Sequence, residues 1–401
     1  MGIVVGTNYG TSLTQKIYFM TAKYRTWVEI NKEAIAKNYA TFRGYINKHV
    51  KLMSVVKSNA YGHDIIQFAQ EITKLGVDWL GVDSAVEALV LRNKGLQTPI
   101  LVLGYTLPYK YQEIVQQKIH ITISSFSALD SIKEEHFSGN LSGKILAHIK
   151  VDTGMGRQGF LFADREKLFH YLEELKDVIS VEGLYTHFAA AKNPDGPDET
   201  YGQIQEFKKW IELFHSKGYK PLVHASATSG ALLFPEARFD MIRVGIGMYG
   251  LWPSPEVKVF AEKNNITLYP ALSWKTIISE IKYLPQGSRV GYDFTEELKR
   301  DSVVAICPIG YWHGYMRSLS SKGFVLVRGT RAKVLGRVSM GMIVIDITDI
   351  PKVTTGDEVI LIGGTEKNKV SADFVADLAG TINYEIVTCI NPRICRIYYN
   401  E

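Results

Sequence analysis

Cysteine is scarce in this chain. Its 401 residues include three, Cys307, Cys389 and Cys395. They show neither metal-ligand spacing nor the even count of a disulfide framework, so no metal site and a reducing, cytoplasmic location are expected. Long apolar runs are missing as well. None approaches the ~18 residues of a membrane span, so no membrane partner is expected. Nor is there a basic block. The 46 Lys and Arg against 41 Asp and Glu leave a net charge of +5, and the signs mix, as at Lys133-Glu134-Glu135. That pattern excludes nucleic acid as the expected partner. Residues 1–23 lack the basic start, apolar core and small-residue cleavage site of a signal peptide. They read as a polar extension before a fold that begins near Tyr24.

What is present is a globular composition, 46% hydrophobic and 22% charged, at a length suited to two domains. Between residues 51 and 250, eight short apolar runs alternate with amphipathic stretches. The runs are 52–56, 79–82, 100–103, 120–123, 145–151, 181–186, 222–224 and 241–246. Helical patterns lie between them, among them 65–75, 85–93, 165–175 and 201–215. Eight strand–helix units predict an α/β fold, a closed (β/α)8 TIM-type barrel with parallel strands. No Gly-x-Gly-x-x-Gly opens the first unit, which disfavours a dinucleotide fold. After Pro270 the runs 273–284, 302–308, 323–327, 332–335, 342–347 and 358–362 are rich in Val and Ile, with Gly, Pro and Asp between them. They predict a C-terminal all-β domain with one short helix over 371–378, capped by Ser371. The expected division is a polar extension at 1–23, a barrel domain at 24–270 and a β-domain at 271–401. A strand at 26–31 falls outside the barrel count and is free to pair with the β-domain. A helix over 32–48 leads into the first barrel strand.

The stretch Val55-Val56-Lys57-Ser58-Asn59-Ala60-Tyr61-Gly62-His63 puts a lysine at the end of an apolar strand. A lysine held in a dry place favours its neutral amine, as a Schiff-base lysine requires. The plainer reading is a solvated lysine just past a strand. Active sites of such barrels lie at the C-terminal strand ends. Several polar groups fall there: Lys57, the Asp152-Thr153-Gly154-Met155-Gly156-Arg157 stretch, His187, His224, Thr228 and Arg243. His224, closing an apolar strand, reads as a core histidine, and His187 taken alone reads the same way. Their convergence on one rim favours function. Thr228 offers a hydroxyl at a helix start, and Gly245 lets backbone N–H groups approach closely, which suits a phosphate monoester. A lysine, a phosphate site and a barrel together point to pyridoxal 5'-phosphate (PLP).

At these residues the chain resembles the alanine racemase family, PLP-dependent enzymes of fold type III. The resemblance runs from about residue 24 to the C-terminus. It rests on Val56-Lys57-Ser58-Asn59-Ala60-Tyr61-Gly62-His63, residues 152–159, Thr186-His187-Phe188, Phe239-Asp240-Met241-Ile242-Arg243-Val244-Gly245, Gly291-Tyr292, Pro308-Ile309-Gly310-Tyr311 and Gly336-Arg337-Val338-Ser339-Met340. It implies an isomerase that interconverts L- and D-alanine for peptidoglycan synthesis. It implies a homodimer with shared active sites. Lys57 would bond PLP and act as one base. Tyr292, from a partner subunit, would be the other, because racemisation needs a proton removed from one face and returned to the opposite one. Tyr61, Thr228, Gly245 and Ile246 would hold the phosphate, and His187 would lie by the cofactor ring. Arg157 and Met340 would bind the substrate carboxylate. Tyr311, Arg317 and Arg337 would line the entrance. Arg243 would face the pyridine nitrogen. An arginine offers only donors, so it disfavours protonating that nitrogen and restrains transamination. Decarboxylases of the same barrel family place an acid there.

Four positions depart from the family pattern. Gly341 stands where Asp is usual, and Pro392 where a tyrosine is usual near the C-terminus. Ala227-Thr228 replaces Asn-Ser, and Lys192 replaces an acid of the entry corridor. They bear on substrate range: alanine is the expected substrate, and a serine or broad-specificity racemase is the alternative. A PLP carrier without catalysis is a further reading, and Tyr292 and the whole β-domain speak against it. Lys150, whose equivalent is often carbamylated in the family, is left open.

Overall fold

The computed structural model describes residues 24–400 apart from Asp195 and Glu366, so the expected extension at 1–23 lies outside the described residues. The chain divides into two compact units. One spans Ala34–Pro270; the other combines the described residues up to Glu33 with Ala271–Glu401.

The second unit begins with β1 (Thr26–Asn31). The barrel unit then forms from β2 (Lys51–Val55), β3 (Trp79–Val82), β4 (Ile100–Val102), β5 (His120–Ile123), β6 (Ile145–Lys150), β7 (Ile179–Tyr185), β8 (Leu222–His224) and β9 (Met241–Val244). These eight strands are parallel, in the order β8-β7-β6-β5-β4-β3-β2-β9. The ring is drawn together between β8 and β9 by irregular bonds: Asp240 N–H to Val223 O (3.0 Å) and Arg243 N–H to Ser226 O (2.9 Å). The strands are almost wholly buried on both faces, which is why they read as apolar runs rather than alternating ones. Met53, Val55, Trp79, Leu101 and Met241 pack together in one apolar cluster. Between the strands lie helices with local start signals. Asp64 accepts from the N–H groups of Ile66 and Gln67, and Ser84 and Ser125 cap the helices Ala85–Asn93 and Phe126–Phe137.

The other unit is a mainly antiparallel sheet. Its strands are β10 (Leu272–Ile277), β11 (Glu280–Leu284), β12 (Arg289–Val290), β13 (Glu296–Glu297), β14 (Ser302–Cys307), β15 (Phe324–Val327), β16 (Thr330–Leu335), β17 (Ile343–Asp346), β18 (Glu358–Gly364), β19 (Lys369–Val370) and β20 (Cys395–Tyr399). The main order is β11-β14-β17-β16-β15-β18-β10-β1-β20. β1 pairs antiparallel with β10 and parallel with β20, so residues up to Glu33 group with the sheet rather than with the barrel. The boundary therefore falls after Glu33, not before Tyr24.

The expected single strand over 273–284 is two strands. At the break Ile278 N–H reaches Asp357 O (2.9 Å) and Ser279 N–H reaches Ile306 O (2.8 Å), so the chain changes partners from β18 to β14. Ser371 caps the helix Ala372–Ala379, accepting from Phe374 N–H at 3.1 Å. A second helix, Asn383–Thr388, follows it.

Candidate active site

Lys57 stands immediately after β2 at the start of a backbone turn of unusual hand. Ser58, Asn59, Ala60 and Tyr61 all have φ between 51° and 55°. Left-handed conformations cost roughly 1–2 kcal/mol per non-glycine residue, so such a run needs external support. Several bonds supply it. Asn59 Oδ1 accepts from Ile65 N–H (3.0 Å), Tyr61 O contacts His63 Nδ1 (3.0 Å), and Glu87 Oε1 accepts from Ser58 N–H (2.7 Å). Tyr249, fully buried, stacks on Tyr61 with ring centroids 4.7 Å apart and donates to Val55 O at 2.8 Å.

The expectation of a dry lysine is corrected here. The Lys57 side chain is 38% exposed, and its Nζ lies 3.0 Å from Asp83 Oδ1. A carboxylate beside it, not desolvation, is its main neighbour.

Tyr61, Thr228 and Gly245 come together. A Cβ on Gly245 would lie 2.5 Å from Tyr61 Oη, and one on Gly247 would lie 2.8 Å from Thr228 Cγ2. Only glycine permits these approaches. The result is a cradle in which a tyrosine hydroxyl, a buried threonine and the backbone of 245–247 meet. Burial pushes the Tyr61 hydroxyl up to about 12, so it is a neutral donor at ordinary pH.

Arg243, 3% exposed, sits on β9 with both terminal nitrogens of its guanidinium engaged. Its Nη2 donates to Thr186 O (2.9 Å) and Ala225 O (2.7 Å) and lies 3.2 Å from His187 Nδ1; its Nη1 lies 2.7 Å from His224 Nδ1. Arginine only donates, so both histidine Nδ1 atoms accept. His224 therefore carries its proton on Nε2 and passes it toward His148 Nδ1, 2.9 Å away. The His148 ring rests where a Cβ on Gly183 would collide with it. Burial, with the Arg243 charge next, pushes His187 down to about 3 and holds His224 well below the usual histidine range, so both are neutral. Burial also lowers Arg243 to about 10, which leaves it a cation at neutral pH. His224 is thus the core histidine the sequence indicated, and it also orients Arg243.

Arg157 is presented by a turn built on Asp152. That carboxylate accepts from the backbone N–H groups of Gly154, Met155, Gly156 and Arg157 at 2.9–3.2 Å. Burial would raise it; these four bonds outweigh burial and hold it low. Lys150 is buried beside it, 3.2 Å from Gln158 Oε1. Burial, then the charges of Arg157 and Arg243, push Lys150 down to about 8. The charges of Arg243, Arg157, Lys150 and Lys57 all act on His187, so these groups share one electrostatic neighbourhood.

The remaining predicted residues lie on the sheet unit. Tyr292 follows Gly291 (φ 80°) and is 68% exposed. Its neighbour Asp293 is in charge contact with Arg337 (2.8 Å). Two loops are zipped by Tyr311 N–H to Ser339 O and Trp312 N–H to Met340 O, both 3.0 Å, where only glycine fits at 310. Met340 and Tyr311 are 60% and 43% exposed. The turn holding Arg317 joins them through Ser321 N–H to Gly336 O at 3.0 Å. Pro392 follows Asn391, whose side chain donates to Trp312 O (2.9 Å). Gly341 has open space where a side chain would stand. Lys192 is exposed on the loop after β7. Asp83, Glu87, Tyr249 and His148 had no signal of their own in the sequence; each acts through strand ends far apart in the chain.

A parallel eight-stranded barrel with a strand-end lysine, a glycine-lined cradle and a buried arginine, joined to a sheet unit, defines a class of two-unit barrel enzymes. The family models for the alanine racemase N-terminal and C-terminal domains match residues 30–253 and 271–398. An alanine racemase of Halothermothrix orenii is 39% identical over 94% of this chain and 97% of its own length. One from Leptospira interrogans is 38% identical with the same coverage. The crystal structure of the Bacillus anthracis alanine racemase with bound L-Ala-P superposes with a TM-score of 0.87 at 34% identity, covering 94% of this chain and 95% of that one. The chain belongs to the alanine racemase family.

Proposed function

We propose that the protein interconverts L- and D-alanine with PLP, using Lys57 and Tyr292 as bases on opposite faces. The observation that carries this reading is the cradle at Gly245 with Lys57 and Arg243 on the same unit. The residues present fit the cofactor. Tyr61, Thr228 and the amides of Gly245 and Ile246 suit a phosphate, the donor-only Arg243 suits a ring nitrogen, His187 suits the ring, and Lys57 suits the aldehyde. When bound, PLP supplies the electron sink that makes the substrate Cα–H acidic.

The protein's own groups do the rest. Arg157, held by the Asp152 turn, receives the substrate carboxylate with Met340. Lys57 Nζ holds or returns the proton on one face, and Tyr292 Oη does so on the other. Arg243, fixed by four acceptors, would set its positive charge beside a ring nitrogen and so disfavour a proton there. Tyr292, Met340 and Tyr311 are exposed on their unit, which supports a homodimer in which one copy's sheet residues complete another copy's barrel site. Among the described residues no helix is long and apolar enough to cross a membrane, in keeping with a cytoplasmic enzyme supplying D-alanine for peptidoglycan.

A serine or broad-specificity racemase is the second reading. It is favoured by the open space at Gly341 and by a proline at 392 in place of a phenol. The test is α-hydrogen exchange into L-alanine, L-serine, L-lysine and L-arginine with PLP added. Alanine exchanging fastest, with the D-enantiomer accumulating, is expected. Serine exchanging faster selects the second reading, and no exchange in any of the four removes both.

A further inference from the structure

Asp83 was not anticipated, and its surroundings are specific. It follows β3 as Lys57 follows β2, and the two strand ends are stitched by Val56 N–H to Gly81 O at 2.7 Å. One carboxylate then binds both loops. Glu87 Oε1 accepts from Ser58 N–H (2.7 Å), and Glu87 Oε2 accepts from Asp83 N–H (2.8 Å). On its other side, Asp83 O accepts from Gly104 N–H (3.0 Å), and a Cβ at 104 would collide with that oxygen. The Asp83 backbone is therefore fixed by groups that do not involve its side chain. That side chain is 56% exposed and reaches Lys57 Nζ at 3.0 Å.

An exposed ion pair usually gains little, because two long side chains must be ordered to make it. Here the loops that carry both ends are already tied to one carboxylate, so less ordering is needed.

We propose that Asp83, held by Glu87, is the resting counter-ion of Lys57 and gates capture of the cofactor. The inference rests on the reading of Lys57 as the cofactor lysine. Capture needs the neutral amine. The Lys57 ammonium must leave the carboxylate and give one proton to Asp83 or to water. The amine then attacks the aldehyde carbon, a C=N bond forms, and the carbonyl oxygen departs as water with the two amine hydrogens. When substrate takes the cofactor, Lys57 returns to Asp83. The other titratable groups in range are Lys150, which feels the Lys57 charge, and the neutral Tyr61, which feels that of Asp83. His187 also feels the Lys57 charge but is neutral. Glu87 is engaged by the two backbone N–H groups.

The test is the rate at which cofactor-stripped full-length protein forms its visible band at pH 7, with PLP and with phosphate-free pyridoxal. The proteins are wild type, Asp83→Asn and Asp83→Glu. At pH 7, Asp83→Asn should capture both aldehydes roughly two- to fivefold faster, the scale of an exposed ion pair. Asp83→Glu should keep the wild-type rate. Equal rates, or the same change in Asp83→Glu, would overturn the proposal. A gain with PLP alone would also overturn it, since that is repulsion of the phosphate. Acetylation of Lys57 by acetic anhydride, read by mass spectrometry in the same proteins, gives an answer without any cofactor. If wild type forms no band, the reading of Lys57 fails, while acetylation still reports on the ion pair.

Discussion

The barrel unit and the sheet unit treat several of their candidate residues in opposite ways. On the barrel, Arg243 and Thr228 are buried and Arg243 is tied to His187 and to backbone of the same unit, although Lys57 and Arg157 keep some exposure. On the sheet unit, Tyr292, Met340 and Tyr311 are largely bare. The backbones of Tyr311 and Met340 are fixed by the bonds that zip 310–312 to 339–340. A side chain held inside its own unit is organised before anything binds. One left bare is organised only as far as its backbone. The difference teaches that the barrel orders its buried candidates by its own packing, while the sheet unit leaves these side chains open.

Three substitutions probe that comparison. Lys57→Ala should have the largest effect. It removes the amine proposed to take the aldehyde, so the visible absorbance of the dialysed protein and its racemase activity should both disappear. Unchanged absorbance would defeat the assignment.

Tyr292→Ala comes next. A general base typically contributes about a hundred- to ten-thousand-fold. The loss should fall on α-deuterium release from one enantiomer, L-alanine, far more than from D-alanine. Steady-state rates hide this, because the equilibrium constant ties the two directions. As Tyr292 is exposed, the melting temperature should hardly move. Mixing Tyr292→Phe with Lys57→Ala chains should restore activity in hybrid dimers. Hybrids without activity would mean that sites are not shared.

Gly245→Ala tests the barrel's enclosed side. Its Cβ would lie 2.5 Å from Tyr61 Oη, so the hydroxyl must move out of the cradle. Overpacking of this kind costs about 1–3 kcal/mol, so PLP affinity should fall roughly ten- to a hundredfold. Unchanged affinity would remove Tyr61 and Gly245 from the phosphate site.

The barrel was legible because its strands are buried on both faces: 79–82, 120–123 and 222–224 coincide with β3, β5 and β8. The sheet unit was less so. The partner switch at Ile278 and Ser279 depends on what each half meets, and apolar content is the same on both sides of it. The short strands β12, β13 and β19 are two residues each, too brief for any period to register. At the site, residues next to strand ends could be named, since position along the chain located them. Their supports could not. Asp83 meets Lys57 across two strands, Tyr249 joins Tyr61 to Val55, and His148 reaches Arg243 only through His224. Such contacts leave no periodicity. The dry-lysine expectation failed for the same reason: an apolar run reports on the strand, not on a carboxylate from the next one.

The smallest effect expected concerns acid, and it separates the two units again. His120, on β5, packs edge-on against Trp79 with centroids 4.6 Å apart, and its buried Nδ1 has no hydrogen-bond partner. Burial pushes it down to about 4. His187 lies at about 3, and His148 and His224 are held well below the usual range. The sheet unit holds one histidine, His313, lowered by partial burial. In the unfolded chain each takes a proton near its ordinary value of about 6.5. The folded barrel refuses those protons, because they would have to enter without water. The unfolded state therefore binds more protons below pH 6.5, and stability falls as pH drops toward 4. Each such histidine adds at most about 1.4 kcal/mol per pH unit to that slope. His120→Phe keeps an apolar ring against Trp79 and removes one titrating group. Urea unfolding at pH 7, 6 and 5 should show the variant losing less stability than wild type on acidification, by no more than one histidine's share. Hydrogen exchange should show barrel amides opening before those of β14–β18. A slope unchanged by His120→Phe would mean that the folded protein admits this proton, and that the polar interior of the barrel is wetter than its burial implies.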